Sequence, residues 1–293
     1  MKLRFILNPR SGHVRRDPTL ADRLRAFIAR EHLDADLVFT AVPRHATALA
    51  RDAVADGCTT VVAVGGDGTV NEIAQALLDT PTALGLVPLG SGNGLARDLG
   101  VPLRTADALA NLVNGAPRVI DAGVANGQPF FCALGTGFDA DVVQRFNQRT
   151  RRGLVAYLQT TAAHWWRYRP ERYIFHVDGA RHETTALLIA VTNAAQYGNN
   201  ARIAPSARLD DGLLDLVVVP PPTLFSAVPL VWRLFRGTLE RDPRVRRFQS
   251  AQFIIERTEP GVFHTDGEVH PVTTRLEVSV RPACLRVIAP APA

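Results

Sequence analysis

The sequence predicts an α/β domain with a doubly wound parallel sheet over residues 1–123, followed by an all-β sandwich domain over 124–293. Three observations predict it. Strand-length apolar runs alternate with amphipathic helical stretches through the first half, the pattern of a parallel sheet wrapped by helices. Glycine-bearing loops follow the first, third and fourth of those runs, which places all three at the carboxyl edge of the sheet, where open α/β sheets bind ligands. From about Gly123 the texture changes to short runs of period-two or buried-strand character separated by turns. Residues 122–126 are the expected hinge, and the final segment is a candidate to return to the first domain.

The chain opens with a buried strand over 3–7 that runs into Asn8-Pro9-Arg10-Ser11-Gly12, a turn of backbone donors and small polar side chains suited to the sugar or phosphates of a nucleotide. Asp17-Pro18 starts a helix whose apolar face is Leu20, Leu24, Phe27 and Ile28. A strand over 35–39 ends in Thr40, and a second helix covers 46–55. The strand over 60–64 leads into Gly65-Gly66-Asp67-Gly68-Thr69, after which Val70, Ile73, Ala74 and Leu77 line a third helix. A strand over 82–87 ends in Pro88-Leu89-Gly90-Ser91-Gly92-Asn93-Gly94, and a helix over 105–113 and a strand over 118–121 close the half. In the second half, strands are expected over 129–133, 173–177, 186–191, 214–219, 252–256, 275–280 and 285–288.

The turn over 65–69 is the most informative stretch. Its three glycines let the backbone bend sharply and approach a ligand, and the helix behind it aims free amides back at the turn. That combination makes an anion site, with phosphate the natural ligand. Thr69 and Glu72 also have the spacing of a capping box, which is the structural alternative. Asp67 is expected to face the ligand and pack against nothing.

A chain of 293 residues with 46% hydrophobic content can bury two cores. Its formal charge of +5, carried almost wholly by arginine, favours phosphate-bearing partners. Cys58, Cys132 and Cys284 are few, odd in number and far apart, which argues against a disulfide framework and a zinc site. The apolar run before Asn8 and Pro9 is too short for a signal peptide, and no later run is long enough to span a bilayer, so a cytoplasmic protein is expected.

Two helical insertions interrupt the second half. Leu154, Tyr157, Leu158, Thr161 and Trp165 form a face on the first, with Arg149, Arg151, Arg152, Arg167, Arg169 and Arg172 at its ends. Leu224, Val228, Val231, Leu234 and Phe235 form a face on the second, flanked by Arg233, Arg236, Arg241, Arg244, Arg246 and Arg247. Apolar faces bordered by arginine suit an interfacial helix, and equally an ordinary helix packed on a sheet.

Taken together, Asn8-Pro9-Arg10-Ser11-Gly12, Gly65-Gly66-Asp67-Gly68-Thr69 with Asn71-Glu72, Pro88-Leu89-Gly90-Ser91-Gly92-Asn93, Leu209-Asp210-Asp211-Gly212-Leu213 and Asp266-Gly267-Glu268 resemble the superfamily of diacylglycerol kinases, sphingosine kinases and related bacterial lipid kinases. The resemblance covers nearly the whole chain. It implies a nucleotide-binding α/β domain, a β-sandwich domain and an active site in the cleft between them. It further implies ATP and Mg2+, with Asn8, Ser11, Gly12, Thr40, Gly65, Gly66, Asp67, Gly68, Thr69, Glu72 and Ser91 holding the nucleotide. Glu268 would be the general base on the lipid hydroxyl, or, in the sphingosine kinase manner, Asp67 would. Asp211, with the carbonyl oxygens of Arg208 and Leu213, resembles a structural magnesium site, although adjacent aspartates before a glycine also fit a plain turn. Asp266 and Glu268 project to one face if the chain is extended there, and otherwise belong to a polar hairpin turn.

Bacterial diacylglycerol kinases usually carry threonine, and an aspartate after the asparagine, where this chain has Ser91 and Gly94, so the fourth-strand loop looks closer to the sphingosine kinase version. The function implied is transfer of the ATP γ-phosphate to the hydroxyl of a diacylglycerol, a sphingoid-type or a related lipid, at the inner membrane surface, with no nucleic-acid partner and a homodimer left open. The rival readings are a soluble kinase of the NAD kinase type and a non-catalytic nucleotide-binding module.

Overall fold

The computed structural model describes residues 2–11, 17–149 and 154–291, the side chains of Leu154, Leu158 and Leu224 excepted. The chain divides into two units, Met1–Ile120 with Ala283–Ala293, and Asp121–Pro282.

The first unit contains β1 (Lys2–Leu7), α1 (Leu20–Arg30), β2 (Asp34–Phe39), α2 (His45–Ala55), β3 (Thr60–Gly65), α3 (Asp67–Leu77), β4 (Ala83–Pro88), α4 (Gly94–Asp98) and α5 (Thr105–Asn114). The strands pair in parallel in the order β2-β1-β3-β4. Both β3 and β4 are buried along their whole length, which is why they read as continuous apolar runs and not as alternating ones. On one face Leu3, Phe5, Leu7, Val62, Val64 and Val87 pack with Leu20, Leu24 and Phe27 of α1 and with Leu109 and Leu112 of α5. Helices α2 and α3 pack on one another and on β1, β3 and β4, and the small buried side chains of Ala46, Ala50 and Ala53 let α2 lie close. Loops at the carboxyl ends of these parallel strands therefore share one edge.

The second unit is a sandwich. Its elements are β5 (Ala116–Ala125, which enters from the first unit), β6 (Gln128–Phe130), β7 (Ala133–Gly137), α6 (Phe138–Asn147), α7 (Leu154–Trp165), β8 (Glu171–Val177), β9 (Ala180–Ala186), β10 (Leu188–Thr192), β11 (Gln196–Gly198), β12 (Ala201–Arg202), β13 (Leu214–Val219), α8 (Leu224–Arg236), β14 (Arg246–Ser250), β15 (Gln252–Arg257), β16 (Gly261–Thr265), β17 (Glu268–Val272) and β18 (Arg275–Ala289). An antiparallel sheet of order β14-β13-β10-β7-β16-β17 faces a second layer in which the start of β18, β15, β8 and β9 pair in sequence. Leu134, Ile189, Val191, Leu216 and Phe263 from the first layer and Phe130, Tyr173, Phe175, Phe253 and Leu276 from the second close the core between them.

Three expectations need correction. Residues 122–126, expected as the hinge, are regular structure, completing β5 and entering the Asn126–Gly127 turn, where φ is 45° and 80°, and the units divide between Ile120 and Asp121 of the same strand. The run over 129–133 is broken into β6 and β7 because a carboxylate captures its amides, as described below. The two runs over 275–280 and 285–288 are one strand, β18, whose early residues pair with β15 and whose Val287 pairs in parallel with Leu84 of β4.

Candidate functional site

The site in the first unit begins where β3 ends. Gly66 is the N-cap of α3, and no side chain caps the helix. The capping box that Thr69 and Glu72 offered as the structural alternative does not form, since both side chains are used elsewhere. Thr69 is buried and its hydroxyl accepts the Asn8 side-chain amide at 3.1 Å. The Glu72 carboxylate crosses to α2, accepting the amides of Arg44 at 3.3 Å and Ala46 at 3.2 Å, and its carbonyl accepts the Thr47 hydroxyl. Glu72 thereby supplies the negative charge that the amino end of α2 lacks among its own residues. Among the described residues the first amides of α3 have no side-chain cap, and around Gly68 there is open space where a side chain would stand.

Asp67 is not an unattached ligand-facing group. Its Oδ2 accepts the Asn93 amide at 2.9 Å and its Oδ1 accepts the Gly94 amide at 2.8 Å, so one carboxylate joins the glycine turn after β3 to the loop after β4. Close approach of the two loops requires glycine. A Cβ on Gly92 would lie 2.8 Å from Asp67 Oδ2, and one on Gly90 would lie 2.8 Å from the Gly66 Cα. Asn93, at φ 50°, holds its own loop through two bonds to the Gly90 backbone, and Arg97 donates to the Gly92 carbonyl at 2.9 Å.

Asn8 follows β1, Thr40 follows β2, Gly65 ends β3 and Ser91 follows β4, so these nucleotide candidates share one edge of the parallel sheet. The Ser11 hydroxyl is buried with no hydrogen-bond partner among the described residues, whereas Ser91 is exposed. Gly12 lies outside the described residues.

In the second unit Asp266 and Gly267 are the two central residues of the β16–β17 hairpin, with φ of 48° and 87°, both positive as a two-residue primed turn requires. The extended reading of Asp266 and Glu268 is thus corrected to the hairpin one. Asp266 faces inward. Its carboxylate accepts the amides of Phe131 at 2.7 Å, Cys132 at 2.9 Å and Ala133 at 2.9 Å, which halts the strand that 129–133 would have made. Glu268, first residue of β17, is exposed.

Behind this hairpin lies a buried group whose partners are far apart in sequence. Asp139 Oδ2 accepts the Tyr197 hydroxyl at 2.5 Å and contacts His264 Nε2 at 3.2 Å, and the Gly267 amide donates to His264 Nδ1 at 3.4 Å. The amide at Nδ1 assigns the ring proton to Nε2, facing the carboxylate. Burial first, and then Asp139, push the Tyr197 phenol well above its ordinary range. Gly135 has no room for a side chain here, since an added Cβ would meet His264 Nε2 and the Tyr197 hydroxyl, each at 2.6 Å. Asn147 donates to the Gly267 carbonyl at 3.0 Å.

At the proposed structural metal position, Asp211 Oδ1 accepts the Leu213 amide at 3.1 Å, the closure of an ordinary aspartate turn, and Arg208 lies 3.6 Å from Asp210. Among the described residues no group of three or more His, Cys, Asp or Glu is placed to hold a metal.

The two arginine-flanked helices differ. In α7, Tyr157 packs edge-on to Phe146 and Trp165 edge-on to Phe138, so much of the expected apolar face is spent inside the unit. Arg149 bonds the Ala156 carbonyl and the Thr160 hydroxyl of the same helix, while Arg151 and Arg152 lie outside the described residues. No helix among the described residues is long and apolar enough to cross a membrane.

Residues 2–125 match the family described as the diacylglycerol kinase catalytic domain, and residues 132–289 match the YegS C-terminal NAD kinase beta sandwich-like domain. A Pseudomonas aeruginosa protein named "Probable lipid kinase YegS-like" is 33% identical over 248 residues, covering 83% of this chain and 80% of that one. The protein named diacylglycerol kinase of Bacillus subtilis is 29% identical over 277 residues, covering 91% and 89%. The crystal structure of a diacylglycerol kinase of Bacillus anthracis superposes with a TM-score of 0.74 at 21% identity over 98% of this chain and 96% of that one, a likeness of fold. The chain belongs to the diacylglycerol kinase-like family of YegS-type lipid kinases.

Proposed function

We propose that the protein transfers the γ-phosphoryl group of ATP to the hydroxyl of a membrane lipid. The observation that carries this reading is the clamped pair of glycine loops at the carboxyl edge of the parallel sheet, with the uncapped α3 amides beside them. Phosphoryl transfer asks a protein mainly for positioning and for charge on the transferring group. Rigid backbone amides at a helix start suit the first need, and the glycines keep that surface accessible to phosphate oxygens.

The residues present fit Mg2+ carried with the nucleotide, because such an ion needs only one or two carboxylates besides phosphate oxygens and water. Asp67 has engaged one acceptor position on each oxygen and retains a second on each. The ion would supply neutralising charge at the β- and γ-phosphates, and Asp67 would be its protein partner. A separate structural ion would be held by the second Asp211 oxygen with the carbonyl oxygens of Arg208 and Leu213. Glu268 opens the strand after a hairpin whose inner carboxylate, Asp266, accepts three backbone amides, and as an exposed carboxylate Glu268 would take the acceptor's proton. Asp67 is the alternative base.

Incubation with labelled ATP, Mg2+ and a total lipid extract, beside a parallel reaction offering NAD, tests the reading. A labelled lipid is the expected product. Label in NAD alone would move the protein to the soluble-kinase reading, and nucleotide binding with no labelled product would leave a binding module.

A further inference from the structure

Helix α8 connects β13 to β14 and is apolar on two opposite sides. Its start is held by a Thr223–Ser226 capping box and its end by Gly237 at φ 64°, so the helix is well delimited. Leu230 and Leu234, one turn apart, seat it on the outer face of the six-stranded sheet against Val217, Val219, Leu239 and Val245. Leu234 therefore belongs to the seated side and not to the outer face. Half a turn away, Phe225, Val228 and Trp232 stand at i, i+3 and i+7 and are 93%, 74% and 57% exposed, with Val231 beside them at 52%. A large apolar stripe directly opposite the one that packs calls for an occupant from outside the chain.

Charge identifies the occupant. Between residues 224 and 247 the chain has six arginines against Glu240 and Asp242. Asp242 is paired with Arg244 at 2.7 Å and Arg233 at 3.8 Å, and Arg247 donates to Asp215 at 2.6 Å and lies 3.6 Å from Glu240, which also accepts the Ser206 hydroxyl at 2.7 Å, so that Arg236 and Arg241 stand outside these ion pairs. The Arg236 guanidinium lies 4.9 Å from the Trp232 ring, and Arg241 is exposed. An indole paired with a guanidinium suits the boundary between acyl chains and phosphates. A second copy of this chain docked face to face would instead bring the same arginines against one another.

We propose that the outer face of α8, Phe225, Val228, Val231 and Trp232 flanked by Arg236, docks the protein on an anionic phospholipid bilayer. The proposal rests on the lipid-acceptor reading for its purpose, but its test does not depend on turnover. In co-sedimentation, the whole chain binds vesicles of phosphatidylcholine mixed with phosphatidylglycerol, binds pure phosphatidylcholine more weakly, and loses the difference as salt rises. The double variant F225S/W232S, and independently V228D, lose roughly tenfold or more of that binding. Their unfolding transitions stay at the wild-type position, and each keeps turnover on a short-chain dispersed lipid while losing it on vesicle-borne lipid. Wild-type binding in either variant overturns the proposal, as does failure of the wild type to bind. Loss of a dimer in sedimentation velocity with vesicle binding intact assigns the face to a second copy and also overturns it. Vesicle binding lost in the variants of a protein that phosphorylates no lipid upholds the docking surface and removes the kinase reading instead.

Discussion

The Asp67 carboxylate and the Asn93 amide, 26 residues apart in sequence, are joined by a 2.9 Å bond, and Gly94 adds a second to the other oxygen. A residue expected to serve ligand chemistry alone thus also fixes the loop that carries Ser91. Asp67→Ala should consequently lose activity and lower stability together. Removing the acceptor strands two amides in a largely buried loop, which costs about 1–3 kcal/mol. Urea unfolding and nucleotide affinity, measured on the same preparation, check this, and an Ala variant as stable as the wild type would show that the clamp contributes nothing.

Glu268 is exposed, so Glu268→Gln should leave the unfolding midpoint unchanged. If it is the general base, turnover falls by roughly a hundredfold or more while ATP affinity stays near wild type. Unchanged turnover would transfer the base role to Asp67. Weakened nucleotide binding with normal turnover at saturation would make Glu268 a nucleotide or magnesium ligand.

Asp266→Ala should be the most damaging change in the hairpin, since three backbone amides lose a charged acceptor at once. A loss on the order of 3–5 kcal/mol is expected, with Asp266→Asn intermediate because it keeps one oxygen. Thermal unfolding of both variants decides this, and equal stability of Asn and wild type would mean that charge adds little to these bonds.

Burial pushes the Asp215 carboxyl up to about 6, against the pull of Arg247. In an unfolded chain the same group titrates near 3.9, so between about pH 4 and pH 6 the folded state holds a proton that the unfolded chain has lost. The contribution is therefore full below about pH 4 and lost as pH rises through 6, by about 3 kcal/mol at most. Urea midpoints of the wild type and Asp215→Asn across that range should diverge toward higher pH, and parallel profiles would rule the elevated carboxyl out.

The fold class was legible because the two halves have different hydrophobic periods. Continuous runs such as Val61 to Val64 mark strands covered on both faces, and the glycine turns that follow them mark the ligand edge. Helix starts were legible in part only. Thr69 and Glu72 have capping-box spacing, yet each finds a better partner across the fold, in Asn8 and in the bare amino end of α2. The edge strands β9 and β17 leave little trace in the sequence because segments such as Ala180–Ala186 carry few apolar residues, and β16 is only five residues long.

What the sequence determined by itself was the chemistry available: which turns could meet phosphate, and which carboxylates stood beside glycine. Only the tertiary structure decided how each carboxylate is used. Asp67 clamps a neighbouring loop, Asp266 stops a strand, Glu72 caps a helix other than its own, and Asp139 joins Tyr197 to His264. In α8 it was burial on the sheet that separated Leu230 and Leu234 from the exposed Phe225 and Trp232, although all four look alike in the sequence. The physical reason is common to these cases. A polar or apolar side chain takes whichever partner the packed backbone brings within reach, and reach across tens of residues is set by strand order and helix placement, which no local spacing encodes.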